Sequence, residues 1–531
     1  FIFGSQIEDS GNVEKQFDII EGSDSGSTWV PWYTMHKILA GLIDAYELTG
    51  NETALEIADG LGDWVYNRTS NWSSSTRAKV LSVEYGGMND SLYELYKITG
   101  DEKHLEAAHA FDETDLFESV ESGASNVLNG KHANCTIPKF LGALNRYEAL
   151  SERDELSAED EEYLEYAESF WDMVVNRHVF ITGGLSDMEH FKADNSLDAI
   201  RTQCDCESCC AYNMLKLSRE LYKITGENQY MDYYENTLRN AILGAINTEN
   251  GTTSYFSPMA TGYFKFFGEA SPASNMFWCC TGSGMEDFTK LGDSIYFKQD
   301  KDVYVEQYIA SELTDEKLNA KISLDGDVTK SEKFKITVNA LDSSSDITLN
   351  NLVLRIPDWA ADDLSLKLNG KNIKASKASR YLTVENNWKD GDVLSFEIPL
   401  EVTAVGLPDS DSAYGFKYGP TVLAAKLGTE YMNAVTWAGV NLSAPLYKVV
   451  GGESAKLNIT YGATTKQVLG TETINIEDTT VDDFIENIND YLEKDETSDS
   501  LKFVLNGTDA GDTFDGSLEF VPYNEITSTR Y

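Results

Sequence analysis

Positive charge is scarce: Lys and Arg number 42 against 88 Asp and Glu, a formal net charge of −46. Such a field repels phosphate backbones and anionic headgroups, which argues against nucleic acid and membrane surfaces as partners. The acidic residues are scattered rather than gathered in one tail, the pattern of a solubilising surface. No run of about 18 apolar residues occurs, so the sequence holds no candidate transmembrane helix. The opening FIFGSQIEDSGN has neither the basic start nor the apolar core of a signal peptide, and its first residue is not Met. The expectation is that the true N-terminus is absent, which leaves localisation open. Histidine is rare, with six in 531 residues, and so is cysteine, with seven.

The cysteines are sparse but not spread out. Cys204, Cys206, Cys209 and Cys210 fall within CDCESCC, Cys279 and Cys280 are adjacent in NMFWCCTGSGMED, and only Cys135 stands alone. Adjacent α-carbons lie about 3.8 Å apart, closer than the roughly 4.4 to 6.8 Å that an unstrained disulfide spans. Clustering in a long chain favours thiolates converging on a metal over a secreted disulfide framework, with structural disulfides or inert buried thiols as the alternatives. Glu207 and Cys209 are two apart and do not share a helical face. They are expected in an extended segment before a helix starting near Ala211, as Cys279 and Cys280 are before the helix GMEDFTKL. A Glu, Cys, Cys, Cys set would fill a four-coordinate zinc shell, although Cys204, Cys206 or Cys210 could supply ligands instead.

A chain of this length exceeds one core, and usual domain sizes give two to four domains. AYELTGNETALEIADGL at 45, LYKITGDEKHLEAAHAF at 95 and LYKITGENQYMDYYENTL at 221 echo one another. Each ends a helix at Thr-Gly, where Gly50, Gly100 and Gly226 suit a left-handed cap, and each restarts within a few positions. Met214, Leu217, Leu221 and Ile224 recur at helical spacing. Roughly nine helical stretches between Trp32 and Leu291 indicate a helical array or toroid. After Tyr296 the period becomes two, in KFKITVNA, NLVLRIPDWA, YLTVENNW and VLSFEIPLEV, which reads as a β-sandwich. TVLAAKLG and LKFVLNG carry a weaker β signal beyond Leu407. The expected domains are a catalytic helical region over 1–298, a β-sandwich over 299–406 and a second β-rich region over 407–531.

VPWYTMHKILAGLIDAY, EYGGMND, KHANCTIPKFLGA, CESCCAYNMLKLSRELY and FWCCTGSGMEDFTKLGDSIYF resemble the bacterial β-L-arabinofuranosidases of glycoside hydrolase families 127 and 146, nearer to the latter. LRIPDWA, NNWKDGDVLSFEIPL and YGPTVLAAKLG resemble the β-rich part that follows, so the likeness covers most of residues 30 to 425. It implies an (α/α)6-type barrel followed by β-sandwich domains, and retaining hydrolysis by a zinc-bound cysteine. By motif, the implied zinc ligands are Glu207, Cys209, Cys279 and Cys280, with Cys279 the nucleophile. Glu189 in GGLSDMEHF is the implied acid/base, with Asp187 as fallback. His36, His132, Tyr255, Glu84 and Asn89 are the implied sugar contacts, and Trp32 and Trp278 could stack on a ring or bury aromatic area.

The extra cysteines of the first cluster depart from the family pattern. No counterpart of the family's first barrel helices precedes Phe1, and the final TSTRY looks like a motif cut short, so the barrel is expected to be N-terminally incomplete. Apolar faces near 30–50 and 280–298 should then be exposed or filled by other segments. The leading function is release of terminal β-L-arabinofuranose from plant glycans. The alternatives are the same mechanism on another pectic sugar, a non-catalytic zinc-stabilised carbohydrate-binding protein, and an epimerase or lyase on a similar toroid. Free thiolates incline localisation towards the cytoplasm.

Overall fold

The computed structural model describes residues 13–153, 156–268, 278–329, 331–361, 364–410, 413–429, 456–461, 464–467, 501–507 and 516–531. The opening stretch 1–12 and the Asn275-Met276-Phe277 lead into the double cysteine lie outside the described residues. Two compact units emerge: one holds residues 1–178, 188–196 and 213–225, the other 179–187, 197–212 and 226–531.

In the first unit, α1 (Lys15–Glu21), α2 (Pro31–Thr49), α3 (Glu52–Thr69), α4 (Ser74–Leu81), α5 (Met88–Thr99), α6 (Glu102–His109), α7 (Thr114–Glu121), α8 (Ala133–Glu152) and α9 (Ala158–Arg177) follow one another. α10 (Ser208–Thr225) crosses between the units, and α11 (Asn228–Thr237) and α12 (Cys279–Lys290) belong to the second. The echoed Thr-Gly signals end α2, α5 and α10, with Gly50, Gly100 and Gly226 at φ of 67°, 66° and 68°. Asn51 and Asp101 then cap the next helices through their side chains. From α2 to α12 there are eleven α-helices among the described residues, more than the nine or so read from periodicity. Helices of eight residues such as α4 and α7 are too short to display a period. Trp32 is core, with its ring edge-on to Phe17 and Phe111 at centroid distances of 4.8 and 5.2 Å. α2 buries Trp32, Met35, Leu39 and Ile43, while Ile38 and Leu48 on it, and Met285 and Phe288 on α12, are exposed. No helix among the described residues is long and apolar enough to cross a membrane.

The second unit continues as sheets, after the short antiparallel pair β1 (Thr253–Ser254) and β2 (Phe267–Gly268). One has five strands, in the order β11 (Ser376–Ala378), β12 (Tyr381–Glu385), β8 (Asn351–Arg355), β4 (Asp302–Val305) and β3 (Tyr296–Gln299). Another has six: β10 (Lys371–Ile373), β9 (Leu366–Leu368), β13 (Asp392–Glu397), β7 (Lys333–Ala340), β6 (Ala320–Asp325) and β5 (Ser311–Asp315). Their inner faces share one core, to which β7 gives Phe334, Ile336 and Val338 at every second position and β13 gives Leu394 and Phe396. The sandwich thus opens at Tyr296. β14 (Val402–Gly406) already belongs to a third sheet with β15 (Tyr414–Tyr418) and β16 (Thr421–Lys426). That sheet continues through β20 (Gly516–Pro522), β19 (Leu501–Gly507), β17 (Lys456–Tyr461) and β18 (Thr464–Gln467). Arg355 on β8 is fully buried and ties the sandwich to α11, donating to Asp232 and to Glu235 Oε2 at 2.8 Å, with Glu306 Oε2 at 3.6 Å.

Candidate active site

Two helix starts supply the thiols. Cys209 lies in the first turn of α10, and Cys279 and Cys280 open α12. All three therefore sit inside helices, which corrects the expectation from spacing that they lie in extended segments ahead of them. The first turn of each helix carries cysteines and small residues rather than the long apolar side chains that mark a helical period, so the period starts one turn late. Glu207 immediately precedes α10, reached through Cys206, whose φ of 51° is left-handed. Ser186 fixes this turn: its carbonyl accepts from Cys206 N at 3.1 Å and its hydroxyl from Glu207 N at 3.3 Å. Ser208 N donates to Tyr255 O at 3.0 Å, which brings the residue 255 strand end alongside.

The ligand atoms of Glu207, Cys209, Cys279 and Cys280 lie within 4.8 Å of one another, with Cys279 exposed and the other three buried. Cys209 Sγ is 3.2 Å from Cys280 Sγ, and Glu207 Oε1 is 3.8 Å from Cys280 Sγ. The Ser283 hydroxyl donates to Cys209 Sγ at 3.1 Å, and the Tyr255 hydroxyl lies 3.6 Å from Cys279 Sγ. Hydrogen bonds with the Cys209 and Cys280 thiols pull Cys279 far below the ordinary thiol range, aided by Tyr255. Those same bonds push Cys209 up, and burial pushes Cys280 up.

Three sulfurs and a carboxylate converging from mostly buried positions fit a four-coordinate zinc ion, whereas calcium and magnesium favour oxygen sets. The other cysteines of the first cluster turn elsewhere. Cys204 packs with Phe256, and Cys206 with Phe180 and Leu197. Cys210 is fully buried and its thiol donates to Glu207 Oε2 at 3.4 Å. Sequence reading missed this contact and that of Ser283. Ser283, one helical turn past Cys279, was within reach of a spacing argument; the direction of the Cys210 thiol was not. Trp278, before α12, is partly buried, edge-on to Tyr255 with ring centroids 5.5 Å apart.

In the first unit, His132 stands between two carboxylates. Its Nε2 is 3.8 Å from Glu189 Oε2 and 3.9 Å from Glu84 Oε1. Its Nδ1 accepts from Cys135 N at 3.4 Å, so the ring proton sits on Nε2 and faces them. Glu189 has a left-handed φ of 68°, next to Met188 at 48°. Pairing with the start of α8 holds that backbone: Ala133 N donates to Glu189 O at 2.8 Å, and Phe191 N to Lys131 O at 2.9 Å. The two glycines of EYGGMND admit His36, since a β-carbon on Gly86 would meet its Nδ1 at 2.8 Å. Gly87 N donates to that Nδ1 at 2.9 Å, and burial lowers the His36 pKa to about 4. Asn89 is fully buried, its amide given to Asp112 Oδ1 at 3.1 Å and Lys139 O at 3.0 Å. It clamps α5 to the neighbouring α8. Asp187, in the second unit, accepts from the Thr202 hydroxyl at 2.7 Å and bridges to Asp205.

Comparison with known proteins agrees with this architecture. The model of the β-L-arabinofuranosidase GH127 catalytic domain matches residues 11–293, and that of the GH127 middle domain residues 302–400. A non-reducing end β-L-arabinofuranosidase of Bifidobacterium longum subsp. longum is 21% identical over 418 residues, 70% of this chain. The chain spans only 60% of that relative's length. A solved GH127 β-arabinofuranosidase superposes with a TM-score of 0.66 at 17% identity, over 94% of this chain and 75% of its own. A GH127 β-L-arabinofuranosidase from Geobacillus stearothermophilus T6 does so with 0.62 at 14%, over 99% and 81%. In class, then, the fold is the expected one, a helical domain followed by β domains, as in solved glycoside hydrolases built on an (α/α)6 barrel. The chain belongs to glycoside hydrolase family 127, the β-L-arabinofuranosidase family.

Proposed function

We propose that the protein is a zinc-dependent retaining exo-glycosidase that releases terminal β-L-arabinofuranose from plant glycans. The observation that carries this reading is the Glu207, Cys209, Cys279, Cys280 group, in a chain of this family, with one exposed sulfur among buried ligands. Zinc held by these four residues would keep the sulfurs deprotonated. The Cys279 thiolate attacks the anomeric carbon as the glycosidic C–O bond breaks, and Glu189 gives its proton to the departing oxygen. Glu189, now a carboxylate, takes a proton from water, which attacks the same carbon and breaks the C–S bond. His132, carrying its proton on Nε2 between Glu84 and Glu189, orients both carboxylates, and Glu84 and Tyr255 are offered to sugar hydroxyls.

The test is hydrolysis of 4-nitrophenyl β-L-arabinofuranoside by the metal-loaded protein, the chelator-stripped protein and Cys279→Ser. Turnover by the loaded protein alone is expected. Full activity without metal overturns the zinc-thiolate reading, and cleavage confined to other aryl glycosides moves the assignment to another sugar.

A further inference from the structure

Away from the thiol cluster, α3 and α6 bring together a histidine with an unused nitrogen and three carboxylates. His104 is fully buried and its Nδ1 lies 2.8 Å from Thr99 Oγ1. The Thr99 hydroxyl spends its one proton on Leu95 O, at 2.9 Å, so it accepts from His104. The ring proton therefore sits on Nδ1, and Nε2 presents a lone pair. That nitrogen has no hydrogen-bond partner, and Asp59 Oδ1 lies 3.8 Å from it. Ligand atoms of Asp63, Asp101 and His104 also fall within 4.8 Å of one another. Gly62 leaves room for the ring, since a β-carbon there would meet Nε2 at 2.5 Å. A buried lone pair beside one carboxylate, on a ring close to two more, is an arrangement of acceptors without enough donors. Among the described residues, the cation seen with them is Lys103, 2.7 Å from Asp63 Oδ1 and 3.8 Å from Asp101 Oδ2.

We propose that Asp59, Asp63, Asp101 and His104 form a second, non-catalytic zinc site that staples α3 to α6. One imidazole nitrogen with carboxylate oxygens suits zinc better than calcium or magnesium. Tetrahedral ligation at about 2.0 to 2.2 Å needs ligand atoms roughly 3.3 Å apart. The carboxylates are 40% to 51% exposed, so they are free to close that distance around the buried nitrogen. Lys103 competes with zinc for the same oxygens.

The site does not depend on the proposed hydrolysis, and its test reads no activity. Chelator-stripped protein is dialysed against buffered free zinc and its metal counted by elemental analysis. Wild type should hold one zinc per chain more than the double variant Asp63→Asn/Asp101→Asn, whose asparagine amide oxygen still caps α6. Lys103→Met should bind that extra zinc several-fold more tightly. Loaded with cobalt(II) instead, the extra equivalent should add visible d–d absorption and no sulfur-to-metal charge transfer, which separates it from the thiol cluster. Equal metal counts in wild type and the double variant overturn the site, as does an extra equivalent that brings sulfur charge transfer.

Discussion

Glu189 occupies a backbone conformation that a residue with a β-carbon adopts at a cost of about 1 kcal/mol or more, and it is pinned there by Ala133. The strain aims one carboxylate at His132. Glu189→Gln keeps that backbone and removes the proton. It should slow release of natural sugar leaving groups by orders of magnitude, leave the first step on an activated aryl glycoside nearly intact, and recover partly with azide, as single-turnover kinetics would show. Near-normal rates on natural substrate would move the role to another carboxylate. Cys210 offers a second test, since its thiol holds Glu207 Oε2 and leaves Oε1 towards the sulfurs. Cys210→Ala should weaken zinc retention about 10- to 100-fold in chelator competition, and Cys210→Ser should restore most of it. That Glu207, Cys209, Cys279 and Cys280 would converge was implied by the resemblance of their motifs, whereas the clustering of cysteines alone left Cys204, Cys206 and Cys210 open as partners. The contact of Cys210 could not be read, because a side chain's direction is set by packing.

At the scale of elements, the Thr-Gly ends of α2, α5 and α10 and the period-two strands β7, β12 and β13 were legible, since local chemistry decides them. The segment between α9 and α10 was not. Its left-handed residues Ser186, Met188, Glu189, Asn195 and Cys206 are held by contacts made only in the fold, such as Ala133 to Glu189, Lys131 to Phe191 and, within the segment, Ser186 to Glu207, and no propensity announces them. Nor did the pattern NLVLRIPDWA indicate that Arg355 would be a buried cation serving Asp232, Glu235 and Glu306. Arg355→Met leaves three carboxylates beside an apolar side chain. It should destabilise the protein by about 3 to 5 kcal/mol in denaturant unfolding, well beyond the effect of an exposed lysine substitution. Gly142→Ala on α8 should also destabilise, because its β-carbon would meet the Asn89 amide at 2.4 Å.

For the whole molecule, the net charge of −46 sets a self-repulsion that salt screens. The melting temperature should therefore rise between about 10 and 150 mM salt, where the Debye length falls from roughly 30 to 8 Å. Acid acts through the buried histidines. Burial lowers His36 and His178 from 6.5 to about 4, so between those values the unfolded chain takes up protons that the folded chain refuses. Their stabilisation is complete above about pH 6.5 and is lost as pH falls towards 4; His178→Asn should flatten that part of a stability-against-pH curve. The domain order could be read from the change of period near Tyr296, whereas the transfer of β14 to the third sheet could not, because partner choice is not encoded in alternation. The approach of Cys209 and Cys280 to 3.2 Å has a further consequence, for storage. In metal-free protein, peroxide would take two electrons and two protons from these thiols and join chain positions 71 apart. A loop of that length stabilises against unfolding by about 4 kcal/mol. Air-aged, metal-free preparations should thus melt higher than reduced ones and fail to regain turnover when zinc is added back unless a reductant comes first, so a thermal screen alone would select the oxidised form.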